Sequence, residues 1–386
     1  MAHKRGNGEG SIYQREVDAR WFGSIVVGFD AKGRQRRRTV SAKSRREVVS
    51  KLTKLQRDIS DGLSPNLESI SLAQLLTRWH EDVLPRQVKE SAQQNYWSVA
   101  RIHLIPILGA KKLSALTTLD VDGLLTTKAR QGCAPSTVRR TRAVLCQALD
   151  QGVRWGYVTR NVAKLSRSPK LPRKDGRTMS SDQVRLFLNA LSGHPHESLY
   201  ALMLATGLRR GETLGLRWDD YDKESGILQI RRQLQRLESG LVAVDTKTST
   251  SRRSVNLPRG IVGMLETRKG QQAEDEVNLG EDWSNTGYIF TTKLGTPLDP
   301  RNLLREFKGI CENAGLGNWH IHELRHSAAS LMLAQGVKIQ VVSDILGHAS
   351  IRMTADVYGH ILAPDRHGAA ETMNDLLFPE EPDASR

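Results

Sequence analysis

One string limits this chain to folding as separate bodies: SRSPKLPRKDG, residues 166–176. Pro169 and Pro172 lack the amide proton that a helix interior or a central strand needs, and Arg167, Lys170, Arg173 and Lys174 repel one another. With almost nothing apolar to bury, this stretch cannot run through a core. A chain of 386 residues is therefore predicted to fold on either side of it, with 166–176 as linker. Before the linker, Leu72, Leu75, Leu76 and Trp79 begin a series of helical-period runs punctuated by Pro106, Gly109, Gly132, Pro135 and Gly156. Residues 69–165 are predicted to form a bundle of about four helices.

Residues 1–62 have a different grammar. GSIYQ, WFGSIVVGF and RQRRRTVSA are β-prone runs, the last two joined by the turn sequence Asp30-Ala31-Lys32-Gly33. Val48, Leu52, Leu55 and Ile59 then recur at helical spacing behind Ser44 as N-cap, with Gly62 past the end. The expectation is a three-stranded sheet packed on one helix. Charge names a partner class: residues 1–62 carry 15 basic and 7 acidic side chains and 69–168 carry 15 and 6, but 178–386 carry 23 and 27. The net +15 thus sits in the N-terminal half, as binding to a polyanion requires. Arg34, Arg36 and Arg38 alternate along one strand and are expected to face DNA, as are Arg139, Arg140 and Arg142 on the bundle.

Other classes are excluded. Cys133, Cys146 and Cys311 are too few and too dispersed for a disulfide scaffold or a CxxC metal knuckle. No apolar run approaches the ~18 residues of a membrane span, and MAHKRGNGEG lacks a signal peptide's apolar segment. The expectation is a soluble, cytoplasmic, nucleoid-associated protein with no membrane partner.

From Arg177 the pattern is mixed. SSDQVRLFLNALSG, with Ser181 and Asp182 as caps, and ESLYALMLATGLRRGETLGL read as helices. GILQIRRQLQR and RRSVNLP read as strands flanking the polar turn TKTSTS, and helical patterns return at 301–314, 322–335, 338–346 and 351–358. The fold class is multidomain α+β: a small three-stranded sheet plus helix (1–62), a helical bundle (69–165), then a mixed, mainly α domain with a small antiparallel sheet (177–386).

Four strings in that last segment carry chemistry. ATGLRRGE holds Arg209 at a helix-turn, and VDTKTSTSRRSV holds Lys247 in a strand–turn–strand. HIHELRHSAAS places His322 and Arg325 on one helical face, and LGHASIRMTADVYGH holds His348 and, ten residues on, Tyr358. The order Arg, Lys, His-x-x-Arg, His, Tyr within these contexts resembles the tyrosine recombinase, or phage integrase, family over most of 177–360. The resemblance implies an arm-type DNA-binding domain, a core-binding domain of SAM-like type and a catalytic domain. It puts the active site on Arg209, Lys247, His322, Arg325, His348 and Tyr358, with Glu212 as an orienting neighbour. It also implies double-stranded DNA with core-type and arm-type sites, a homotetramer, a host DNA-bending protein and a directionality factor as partners, and no cofactor or metal.

The residue types suit that chemistry. A phenol of pKa ~10 is a weak nucleophile at neutral pH. It attacks a phosphodiester when cations stabilise the charge developing on the phosphorane oxygens, and arginine forks match those oxygens. Lys247 on a hairpin can protonate the leaving 5′-oxygen, His322 can take the tyrosine proton or hold phosphate, and His348 can bond a non-bridging oxygen. Integration is the reading favoured. A chromosome- or plasmid-dimer resolvase would leave 1–62 without a use, and a catalytically silent DNA-binding regulator would not need six intact positions. One rival motif is present: His322-Glu323-Leu324-Arg325-His326 satisfies the zinc-protease pattern H-E-x-x-H, but Met332 stands where a third histidine ligand is expected. Lastly, 371–386 carries five acidic groups against one basic, with Met373, Leu376 and Leu377 at helical spacing. A short helix is expected there, docking on its own domain or on a neighbouring protomer.

Overall fold

The structure, a computed structural model, describes residues 11–29, 33–60, 70–170, 176–245 and 252–358, with Met373 and Leu377 beyond them. The chain divides into two compact units, Met1–Pro172 and Arg173–Arg386, so the break falls inside the predicted linker. The predicted mixed class holds: both units combine helices with small antiparallel sheets.

The first unit opens with β1 (Ser11–Gln14), β2 (Trp21–Phe29) and β3 (Gln35–Ala42) in the order β1-β2-β3, followed by a helix, Arg45–Ser60. Ser44 caps that helix, its Oγ accepting the Glu47 N–H at 3.3 Å. Ile25, Ala42, Val48, Leu52 and Leu55 form the core between sheet and helix. Gly23 is what allows the close approach: a Cβ there would lie 2.5 Å from Leu52 Cδ1 and 2.7 Å from Val48 Cγ1.

The pairing register shows on which side of the sheet the arginines expected to face DNA lie. Gly23 lies opposite Val40 and Ile25 opposite Arg38, so residues 36, 38, 40 and 42 share the side covered by the helix. Arg36 and Arg38 sit at the outer end of that side, and Arg34 precedes the strand, which begins at Gln35. The open side carries Arg37, Thr39 and Ser41, with Tyr13 stacked on Phe22 at 5.7 Å and Arg15 over the Phe22 ring at 4.7 Å. Alternation shows which residues share a face. It does not say which face the helix takes.

The bundle comprises Leu72–Arg78, Glu90–Val99, Thr118–Arg130 and Pro135–Arg154 with shorter turns between, around Leu72, Leu75, Leu76, Leu104, Leu145 and Leu149. Capping boxes start two of these helices, Ser71 with Gln74 and Thr117 with Asp120. Pro106 does not break a helix as its position suggested. Pro85 and Pro106 each follow a widened π-turn, Trp79–Val83 and Ala100–Leu104, which takes up the hydrogen bond a proline cannot donate. On the helix Pro135–Arg154, Arg139 and Arg140 are exposed, but Arg142 is a clamp. Its Nε donates to Ser166 Oγ at 2.9 Å, and its Nη2 donates to the carbonyls of Ser166 (2.9 Å) and Lys164 (3.1 Å). Ser166, expected in the linker, is thereby buried in the bundle.

In the second unit the helix Glu197–Thr206 is apolar all round and buried from Ser198 to Leu204. It packs against Arg259–Leu279 and His322–Ala334 and is the axis of the core. The expected strand GILQIRRQLQR is two strands, β5 (Ile227–Ile230) and β6 (Arg232–Leu237), parted at exposed Arg231. With β4 (Tyr221–Asp222) and β8 (Arg253–Asn256), β5 forms a sheet of order β4-β5-β8, while β6 pairs with β7 (Gly240–Asp245) in a separate two-stranded sheet. The β7 strand was not foreseen, because the polar TKTSTS run is the stronger turn signal. Ser180, not Ser181 or Asp182, caps the helix Ser181–Ala190, its Oγ accepting the Gln183 N–H at 3.2 Å. The later helices are Pro300–Asn313, His322–Ala334, Ile339–Leu346 and Ile351–Tyr358. Among the described residues no helix is long and apolar enough to cross a membrane. Lys247 and Leu376 lie outside the described residues; Met373 and Leu377 are helical, 50% and 59% exposed.

Candidate active site

Two glycine turns and one arginine bring the motifs together. The helices Glu197–Thr206 and Ile339–Leu346 end on Gly207 and Gly347, each at φ +65°, a left-handed cap that glycine adopts without strain. Arg325, 3% exposed on the helix His322–Ala334, donates from Nη1 to Gly207 O and from Nη2 to Leu346 O, both at 2.8 Å. No side chain fits at either turn: a Cβ on Gly207 would lie 2.5 Å from Leu346 Cδ2, and one on Gly347 2.8 Å from Arg253 Nη1. The TGLR, HELR and LGH strings therefore meet around one guanidinium.

A second layer forms on Glu212, which is 2% exposed. Its Oε2 accepts the Arg209 backbone N–H at 3.0 Å and its Oε1 accepts Arg209 Nη1 at 2.7 Å. From β8, Arg253 donates to Glu212 Oε2 at 3.0 Å and to Ile345 O at 2.7 Å. Arg253 went unnoticed in the sequence. Its signal was the pair Arg252–Arg253 entering a strand, where alternation puts one side chain out and one in. Their exposures, 63% and 8%, show which. Glu212 thus sits between two arginines and also closes the first turn of the helix Arg210–Leu214.

The pocket is short of negative charge. Burial, then Arg209, pushes the Arg325 guanidinium down to about 9. Burial alone would raise the Glu212 carboxyl, but Arg253 and Arg209 hold it below its ordinary value. His322 and His348 are both pushed down to about 4, by desolvation first and then by the surrounding cations, Arg325 and Arg209 among them. At neutral pH both rings are uncharged hydrogen-bonding groups. His348 is oriented through Nδ1, 2.8 Å from Thr354 Oγ1. Among the described residues, three guanidiniums answered by one carboxylate make a cradle for an anion.

Tyr358 closes the helix Ile351–Tyr358 and is 2% exposed, packed with Ala329, Leu333, Val342 and Leu346. Burial pushes its hydroxyl up to about 12 against the opposing pull of Arg325. That hydroxyl lies 2.6 Å from Nδ1 of His326, a residue weighed in the sequence only as half of H-E-x-x-H. The rest of that string is committed elsewhere: Glu323 Oε2 accepts the His320 N–H at 2.7 Å, and Oε1 lies 3.9 Å from Arg177 Nε. It is a helix cap, not a metal cage. Among the described residues, one other cluster has metal-like spacing, His194, His196 and Glu306. There His194 Nδ1 already accepts the His196 N–H at 3.1 Å, which leaves the proton on Nε2, and His196 Nδ1 lies 2.8 Å from Glu306 Oε1. These contacts tie the loop at 194–196 to the helix Pro300–Asn313.

Comparison with known proteins adds what the chain is similar to. The phage integrase family profile matches residues 177–363, and that of the phage integrase N-terminal SAM-like domain matches 71–129. A tyrosine recombinase XerC-like protein of Caldanaerobacter subterraneus subsp. tengcongensis is 28% identical over 92% of this chain and 96% of its own length. An integrase of Streptomyces ambofaciens is 29% identical over 98% of both. Among solved structures, the Tn1549 transposon integrase with transposon right end DNA aligns at TM-score 0.66 and 18% identity, covering 80% of this chain and 99% of that one. A lambda integrase tetramer bound to a Holliday junction aligns at TM-score 0.57 and 19% identity, covering 92% and 96%. With both profiles matched in order and full-length relatives that are recombinases, this chain belongs to the phage integrase family of tyrosine recombinases.

Proposed function

We propose that this protein is a site-specific integrase that cleaves and rejoins duplex DNA through a 3′-phosphotyrosyl intermediate on Tyr358, passing through a Holliday junction to integrate or excise a mobile element. The observation that carries this reading is the cluster of Arg209, Arg253 and Arg325 around the single carboxylate of Glu212, in one unit with Tyr358. A scissile phosphodiester supplies the missing negative charge. Arg209 and Arg325 stabilise its non-bridging oxygens as the phosphorane forms, and neutral His322 and His348 add hydrogen bonds to it. The tyrosine oxygen bonds to phosphorus, the bond to the 5′-oxygen breaks, and that oxygen leaves protonated, with Lys247 as donor. One phosphoester replaces another, so no nucleotide is consumed, and the reverse step rejoins a strand.

Core-type DNA is read by the bundle and arm-type DNA by the sheet at residues 11–42, in a homotetramer like that of lambda integrase. A DNA-bending protein and a directionality factor complete the proposed assembly. The test is a suicide substrate nicked beside the cleavage position, run on a denaturing gel. Wild type should accumulate a covalent complex. Tyr358→Phe should form none while binding the same DNA within about twofold, because only the nucleophilic oxygen is removed. A covalent complex persisting in the variant would falsify this assignment.

A further inference from the structure

We infer that His326 is the proton acceptor for Tyr358 in strand cleavage. The inference rests on the phosphotyrosyl reading above and assigns a group that reading leaves open. Among the described residues, the one hydrogen bond of the Tyr358 side chain is the 2.6 Å contact to His326 Nδ1. A phenol donates its proton, so the nitrogen accepts it, and the neutral ring carries its own proton on Nε2. Nucleophile and base are thus already in contact before DNA arrives.

The ring is held on several sides. It projects from the same helix as Arg325, with its edge against His322 at 5.2 Å and 85°. Gly176 lies over it: a Cβ there would stand 3.0 Å from Nδ1 and 3.1 Å from Cγ. Among the described residues, the charged and titratable groups that face it are Arg325, Glu323, His322, His348 and Tyr358. Burial and Arg325 hold it below its ordinary value, outweighing Glu323. With Tyr358 pushed up to about 12, the proton stays on the phenol in the free protein. A phosphodiester bound on Arg209 and Arg325 offsets their charge and makes an imidazolium easier to form beside it. The base gains strength when the substrate is in place.

In the step itself, the tyrosine oxygen forms its bond to phosphorus while its proton passes to His326 Nδ1. The 5′-oxygen leaves with a proton from the donor on its own side. In the reverse step the 5′-hydroxyl attacks, the bond from phosphorus to the tyrosine oxygen breaks, and His326 returns the proton to that oxygen. Protons balance over the cycle.

The experiment is single-turnover cleavage of the nicked substrate from pH 5 to 9 with wild type, His326→Ala, His326→Gln and Gly176→Ala, with DNA binding measured on each preparation. His326→Ala should cleave about 100-fold more slowly or worse, lose the acid limb of the pH profile, and recover in part with added imidazole. His326→Gln keeps the size and hydrogen bonding of the site but not its basicity, and should be slow without rescue. Gly176→Ala, which presses on the ring, should slow cleavage less. Wild-type or faster cleavage by both His326 variants would overturn the inference, since a histidine that merely parks the tyrosine would release it on removal. Loss of rate with an unchanged pH profile and no imidazole rescue would overturn it too. If Tyr358→Phe still became covalently attached, the phosphotyrosyl reading itself would fail, a result distinct from either.

Discussion

Glu212 holds the Arg209 and Arg253 guanidiniums at 2.7 and 3.0 Å from inside the protein, so its removal leaves cations buried without a counter-charge. Glu212→Gln should cost about 3–5 kcal/mol of unfolding free energy, measured by urea titration, because breaking a buried pair strands its partners. Replacing Arg253 by Met should lower cleavage without touching DNA phosphate directly, by releasing Glu212 and the Ile345 carbonyl together. The pH dependence follows the same residues. Glu212 titrates below its ordinary 4.5, so it stabilises the fold above that pH and loses the contribution as pH falls through its folded value. His322 and His348, depressed from 6.5 to about 4, bind protons more readily when unfolded; they too favour the fold above 6.5 and cease to do so on the way down to 4. Urea midpoints taken at pH 7.5, 5.5 and 4 should fall steadily, and a flat series would contradict this account of the pocket. Of these residues, His322, His348 and Glu212 were legible by type and order. Arg253 and His326 were not: each lies inside a string singled out for another residue, and what it does depends on a partner 41 or 32 positions away.

Short elements, not long ones, set the site. The turn at Gly347 hands its neighbours' carbonyls to Arg325 and Arg253; its φ of +65° strains any L side chain, and a Cβ would lie 2.8 Å from Arg253 Nη1. Gly347→Ala should therefore reduce cleavage at least tenfold while the far core, around Phe187 and Tyr200, keeps its near-UV circular dichroism. At the other end of the chain the register of β2 on β3 sorts the arginines between the two sides of the sheet. Arg37, opposite Val26, and Arg15, over the Phe22 ring, lie on the open side, whereas Arg36 and Arg38 share the helix side. Arg37→Ala should weaken binding of arm-type DNA and lower its salt slope by about 0.9, the value for one lost phosphate contact. Arg38→Ala should do less; the reverse order would return the reading to the helix side. Strand runs, helix periods and most caps were readable from local spacing. The misplaced cap at Ser181, the hidden hairpin of β6 and β7, and the helix continuing through Pro106 were not, because each local signal had a competing local solution.

At the scale of the molecule, the proposed arm-type and catalytic roles fall on different stretches of the chain and predict different losses. Deleting residues 1–62 should leave cleavage of core-type DNA detectable and reduce integration sharply, as measured on the two substrates in parallel. Unchanged integration would remove the arm-type role. The sequence alone marked 166–176 as a place where the chain parts, since its prolines and like charges bury nothing, and placed the basic excess before it. It also determined the family, because six residue types in a fixed order with their immediate neighbours leave few alternatives. Only the tertiary structure decided what those residues touch. Arg325 meets Gly207 from 118 positions away, Arg253 meets Glu212 across 41, and Tyr358 selects His326 rather than His322, its neighbour one helical turn earlier. Spacing along a chain reports the periods of helix and strand, which are fixed by the backbone. Contacts between elements depend on how their faces pack, and on that the order of residues is silent.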